Sequence, residues 1–120
     1  MMMDSQRIKL ENYNGILYCD ACMDDEFSMG DLESIRDEIR KNFSSSTNVI
    51  CKESGCFSVA ADVQKILWKG IDEFLNVVYV VDNESKRSAA RYAAETYMMK
   101  YNTQVVGTKE AAYEILKNKL

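Results

Sequence analysis

Cys19-Asp20-Ala21-Cys22 is the first stretch whose residue types and spacing could do chemistry. Two thiols so placed can chelate a metal or form a redox pair. A redox pair works best at the mouth of a helix, whose dipole lowers the first thiol's pKa. Here Met23 to Phe27 intervene before the nearest helix start, at Ser28. Redox folds that use this motif also set a cis-proline beside it, and the chain has no proline. Cys51 and Cys56 would complete a zinc site. Against that, Cys51 sits inside an apolar run, and its spacing to Cys56 is wider than a tight zinc knuckle. The plain expectation is that Cys19 and Cys51 are small core hydrophobes, with no resident metal or cofactor.

The second candidate is Asp82-Asn83-Glu84-Ser85-Lys86-Arg87-Ser88, directly after the apolar run Val77-Val78-Tyr79-Val80-Val81. A helix starting there offers unpaired amides and partial positive charge, to which Lys86 and Arg87 could add for a phosphate or carboxylate. Lys and Arg in a first turn oppose the helix dipole, which invites a functional explanation. There is no Gly-rich loop to wrap phosphates. Asp82, Asn83, Ser85, Lys86 and Arg87 are therefore candidates for an anion or ligand edge, with a solvated helix start as the bland alternative.

The third is the loop Glu53-Ser54-Gly55-Cys56-Phe57-Ser58. Ser58 reads as an N-cap for the helix that follows. Ser54, Phe57 and Ser58 are candidates for a partner-docking or regulatory loop.

The chain has no histidine, so it has no imidazole base and no Ser-His or Cys-His nucleophile. No pair of titratable groups offers a nucleophile with a base to activate it, and a non-enzymatic role is expected. A net charge of −4 argues against a nucleic-acid surface. With 47% apolar and 28% charged residues, no apolar stretch long enough for a membrane span and no signal-like start, the expectation is a cytoplasmic globular domain.

These candidates need elements to hold them. Residues 7–11 and 16–21 read as strands joined through Asn12-Tyr13-Asn14-Gly15, the strongest short hairpin signal. Ser28 caps a helix, with Asp31 at its third position and Leu32, Ile35, Ile39 and Phe43 as its apolar stripe. The loop Ser44–Asn48 ends it. Val49-Ile50-Cys51 is a short strand, and residues 58–74 a helix with Val59, Val63, Ile66, Leu67, Ile71 and Phe74 inward. The run 77–81 lacks alternation, so both its faces should be covered. An Ala-rich helix over 85–101, a strand over 104–107 and a helix capped by Thr108 complete the chain. Tyr92, Tyr97, Met98, Met99, Tyr101 and Tyr113 give the last helices bulk suited to a partner or an apolar ligand. The order is β-β-α-β-α-β-α-β-α: a single α/β domain over 1–120, with about five strands, the later ones parallel, and residues 1–6 disordered or peripheral.

This order resembles STAS-type domains, the fold of bacterial anti-sigma-factor antagonists, and especially the SpoIIAA-like group. Three stretches carry the resemblance: Gly15-Ile16-Leu17-Tyr18 leading to the capped helix at Ser28, Val77–Asp82 leading to the Ala-rich helix, and Thr103–Ala112. It implies a regulatory or protein-interaction module, working with a protein partner or as a homodimer. In these antagonists the loop matching Glu53–Ser58 carries a phosphorylatable serine in an acidic-Ser-Ser/Thr-Gly pattern. Ser54-Gly55 echoes that loop, but Val59-Ala60-Ala61 follows Ser58, so the diagnostic element is missing. The likeness of some SpoIIAA-like domains to lipid-binding CRAL-TRIO folds implies the alternative, a carrier or sensor of an apolar or anionic small ligand. A zinc-binding or redox domain using the four cysteines is the third reading.

Overall fold

The computed structural model describes residues 3–4, 6–43, 46–55 and 57–119. Its chemistry-bearing segments hang on one mixed sheet. Strands β1 (Met3–Asp4), β2 (Ile8–Tyr13) and β3 (Ile16–Cys22) pair antiparallel in turn. The β2–β3 hairpin closes at Asn14 and Gly15, with φ of 52° and 88°, as a tight turn matching the strand twist requires. The Asn12 side chain accepts from the Gly15 amide at 2.8 Å. Residues 3–4 thus add a short outer strand at the sheet's periphery.

The chain then leaves the sheet through β4 (Glu26–Phe27) into α1 (Met29–Asn42). Ser28 caps α1 in a reciprocal box: its hydroxyl accepts from the Asp31 amide, and the Asp31 carboxylate accepts from the Ser28 amide at 2.8 Å. Next come β5 (Thr47–Ser54), β6 (Ser58–Val59), α2 (Ala61–Lys69), β7 (Phe74–Val80), α3 (Glu84–Thr96), a 3-10 turn (Met99–Tyr101), β8 (Gln104–Val106) and α4 (Lys109–Leu116), which Thr108 caps. The main sheet runs β1-β2-β3-β5-β7-β8, and β3, β5, β7 and β8 are parallel. The α/β architecture expected from the element order is the one observed.

The differences lie at element ends and in three two-residue strands, β1, β4 and β6, beyond the five expected. The helix expected over 58–74 covers only Ala61–Lys69, because Gly70 closes it and Phe74 already belongs to β7. Ile71 still reaches the core, but from the connecting loop. Ser58 is not an N-cap. It pairs with Glu26 in a two-stranded parallel sheet of β4 and β6, and the actual cap position, Ala60, has no side-chain hydrogen bond. The Ala-rich helix stops at Thr96 rather than residue 101. Of the expected Ser44–Asn48 loop, Thr47 and Asn48 belong to β5, and Ser44 and Ser45 lie outside the described residues.

Helices α1, α2 and α3 pack on one face of the sheet, over Leu17, Cys19, Val49, Val77 and Tyr79. Helix α4 alone covers the other, over Ile16, Ile50, Val78 and Val80. Val77 to Val81 are each at most 8% exposed, so this run is covered on both faces, as its lack of alternation predicts. Among the described residues, no helix is long and apolar enough to cross a membrane.

Candidate functional site

Strand alternation places Cys19 and Ala21 on the face of β3 that meets α1, α2 and α3, and Asp20 and Cys22 on the other. Cys19 is buried and Cys22 exposed, so the paired spacing that suggests chelation in the sequence separates the thiols instead. Cys56 lies outside the described residues, and no group of His, Cys, Asp or Glu side chains able to hold a metal occurs among those described. Cys19 sits directly across from Cys51 on β5. The hydrogen bond to Cys19, then burial, push the Cys51 thiol well above its ordinary pKa. A thiol held protonated in apolar surroundings is inert as a nucleophile or redox centre.

The strand-edge candidates do not converge on one point. Asp82 and Asn83 are exposed at the exit of β7, and the Asn83 carbonyl accepts from the Lys86 and Arg87 amides in the first turn of α3. Arg87 folds back: its Nε donates to the Val81 carbonyl at 3.0 Å, and its Nη2 occupies the space a Cβ on Gly107 would need. Lys86 acts toward Glu53, whose carboxyl feels its charge. Ser85 belongs to the first turn of α3. Asp82 borders a shallow polar groove on the α4 face with Tyr18, Lys52, Thr108 and Lys109. Lys109 is already committed there, bonded to Glu11 at 2.8 Å with its ammonium 4.2 and 4.0 Å from the Tyr13 and Tyr18 ring centres.

The 53–58 loop is the more informative. Ser54 ends β5 opposite Cys22, and Ser58 is exposed. Phe57 turns inward, its ring 6.3 Å from that of Phe27. Beneath these rings lies a cavity of ≈ 60 Å³ between the sheet and the three-helix layer. Its floor is Cys19, Ala21, Val49, Cys51 and Val77, and its walls include Leu32, Ile35, Leu67 and Met98. The void exists because the central strands carry small side chains where helices bridge above them. Phe27, Phe57, Val59 and Glu53, all half-buried, form the rim. Pairing of β4 with β6 holds Phe27 beside Phe57. Arg7 fastens the same rim from outside, contacting Asp25 at 2.8 Å, the Glu26 carbonyl at 2.8 Å and Asp31 at 3.0 Å.

The polar groups of the cavity are few. Burial raises the Glu53 carboxyl above its ordinary pKa, partly countered by Lys86. Burial, and then the charge of Glu53, push Tyr97 up to about 12. Tyr79 is raised by burial foremost, with Cys51, Tyr97 and Glu53 adding to it. These phenols are hydrogen-bond donors at any physiological pH. The inward-turned Phe57 and the cavity itself were not legible in the sequence; the local signal was the run of small residues, Cys19, Ala21 and Cys51, at core positions of strands.

No family model and no curated protein matches the sequence. A solved structure does. It is described as an uncharacterized protein from the DUF3478 family with a SpoIIAA-like fold, from Shewanella loihica PV-4. The similarity covers 97% of this chain and 98% of that one, with a TM-score of 0.64 and 16% identity. At that identity the likeness shows the fold, and the fold of this chain is SpoIIAA-like.

Proposed function

We propose that this SpoIIAA-like domain binds a small apolar molecule in the cavity between its sheet and helices α1 to α3, holding it rather than transforming it. The observation that carries this reading is the ≈ 60 Å³ void walled almost entirely by apolar side chains and rimmed by Phe27 and Phe57. Interiors are normally packed to crystal density, and a dry apolar void takes up small apolar molecules. The volume is less than a whole aromatic ring needs, so it suits the buried end of a small molecule, such as one edge of a phenol or toluene ring whose remainder sits at the Phe27–Phe57 rim. The Cys51 thiol, pushed well above its ordinary pKa, and the absence of histidine favour binding over catalysis.

Ala21, fully buried on the cavity floor, is the place to test this. Valine there would fill part of the void without leaving the strand's preferred residue types. In the parent protein, toluene or phenol is expected to cause saturable NMR shifts at amides lining the cavity. In Ala21→Val the affinity should fall by about tenfold or more, as a filled site must overpack to admit a guest, while the melting temperature holds or rises. Absence of saturable binding of either probe by the parent would sink the proposal. Native mass spectrometry of the purified protein would report any retained molecule.

A protein-interaction role is the second reading, favoured by four large apolar side chains on the surface. Trp68, Leu75, Tyr92 and Met99 are 61%, 53%, 68% and 65% exposed. If they serve self-association, sedimentation should show a concentration-dependent dimer that Trp68→Ser weakens. A monomer at every concentration rules out that homodimer.

A further inference from the structure

The cavity is apolar except at one end, where Glu53, Tyr79 and Tyr97 meet. Strand register explains the grouping: Cys51 and Glu53 lie on the same face of β5, and Cys51 sits across from Tyr79 on β7. Tyr97 reaches the same cavity from just beyond the end of α3. Tyr79 and Tyr97 are each 8% exposed, yet neither hydroxyl has a hydrogen-bond partner among the described residues. The Glu53 carboxyl likewise has no hydrogen bond or ion pair there. Buried polar groups are nearly always satisfied. Among the described residues, Asp20 Oδ1, on the opposite face, is the sealed side-chain polar atom without a partner. Tyr79 and Tyr97 both line the cavity, and neither phenol oxygen is among the sealed atoms without a partner.

We propose that the ligand of this cavity carries a hydroxyl group, an alcohol or phenol on a small apolar body, received between the Glu53 carboxyl and the Tyr79 and Tyr97 hydroxyls. The inference rests on the cavity being a binding site and adds which chemistry it selects. A hydroxyl both donates and accepts, so one group can donate to Glu53 and accept from a phenol. An ammonium only donates, so it could pair with Glu53 and a phenol oxygen but would leave the phenol protons without an acceptor. A ligand carboxylate would meet the carboxyl of Glu53. A hydrocarbon would leave all three protein groups unpaired, and sites built for a hydrogen bond reject such analogues.

Phenol and toluene, alike in size and shape, separate these cases in an NMR titration of the full chain. Phenol is expected to bind about tenfold more tightly than toluene, the worth of a net hydrogen bond or two. Tyr97→Phe should close the gap between the probes, weakening phenol and leaving toluene equal or tighter, with Tyr79→Phe as the second such variant. Equal binding of the two probes by the parent protein, or a preference for benzoate, overturns the hydroxyl selection and leaves the cavity reading standing. Saturable binding of neither overturns both. Should a variant fail to fold, the comparison of probes on the parent protein still decides.

Discussion

Gly55→Ala should cost about 3 kcal/mol of stability and open the rim of the cavity. Gly55 has φ of 113°, where L side chains are strained, roughly 1–3 kcal/mol by itself. Its Cβ would also lie 2.3 Å from the Met23 carbonyl oxygen and 3.1 Å from Asp24 Oδ1. The first of those neighbours is backbone, so relief requires the 53–58 loop to lift off the end of β3, a clash in the range of about 1–3 kcal/mol. Lifting the loop moves Phe57 and disturbs the β4–β6 pairing that follows it. Gly15→Ala is the internal control. It shares a positive φ, 88°, but nothing lies within 4 Å of its Cβ, so only the backbone penalty applies. Urea denaturation should therefore rank the parent above Gly15→Ala, and that above Gly55→Ala. A Gly55→Ala protein within about 0.5 kcal/mol of the parent would contradict this account of the rim.

Glu73→Ala should lose roughly 2–3 kcal/mol at neutral pH. Glu73 is 5% exposed, in the connection between α2 and β7, and its carboxylate takes Arg36 Nε at 2.5 Å and Arg40 Nη2 at 3.0 Å from α1. Its backbone carbonyl accepts from Thr47 at the start of β5. One residue thus ties α1, β5 and β7 together. The loss falls at the low end for a broken buried pair because Arg36 keeps Glu33 at 3.2 Å and Arg40 keeps Asp37 at 2.8 Å near the surface. Burial alone would raise the Glu73 pKa. The hydrogen bond from Arg36 and the charges of Arg36 and Arg40 outweigh it and hold the group below its ordinary value of 4.5. A depressed carboxylate contributes stability that is full above the unfolded-state pKa and is lost as pH falls through the folded one. The parent protein should therefore lose stability below about pH 4.5, and Glu73→Gln should show a flatter acid limb. Asp31 adds to the same limb. Burial opposes its ionisation, but Arg7 and the Ser28 cap hold its pKa low. Equal acid limbs in the parent and Glu73→Gln would refute the role assigned to Glu73.

The sequence made legible what depends on near neighbours. Asn14-Gly15 announced the hairpin, Ser28 with Asp31 announced the start of α1, and the unbroken apolar run at Val77–Val81 announced a strand covered on both faces. Ser58 misled because a serine before an apolar helix is a good cap by local chemistry, and only a segment far away in the chain, Glu26–Phe27, claims it for strand pairing. The CxxC spacing misled for a related reason. In a strand, positions three apart face opposite ways, so Cys19 and Cys22 part company. The cavity is less legible still. Its lining comes from β3, β5 and β7, from α1 and α2, from the β4–β6 pair and from the segment after α3, and nothing local marks that Cys19, Ala21 and Cys51 will lie side by side. The strand-edge group at Asp82–Arg87 is spread over the exit of β7 and the first turn of α3, and none of it lines the cavity. Glu53, the charged member of its lining, had no signal beyond following Cys51 by two.

The hairpin closed by Asn14 and Gly15 also orders events in time. Besides the short β1–β2 pairing, β2–β3 is the antiparallel pairing in the main sheet, joined by a tight turn, while the remaining neighbours are parallel. Closing such a turn takes microseconds. Every parallel pairing waits instead for a helix-length segment to cross over, which slows assembly of the sheet. The β4–β6 contact joins residues some thirty positions apart through two residues on each side, so it can form only once β3 and β5 stand next to each other. The rim of the cavity thus depends on distant parts of the chain having already met, and a change that loosens the β3–β5 pairing should reach it.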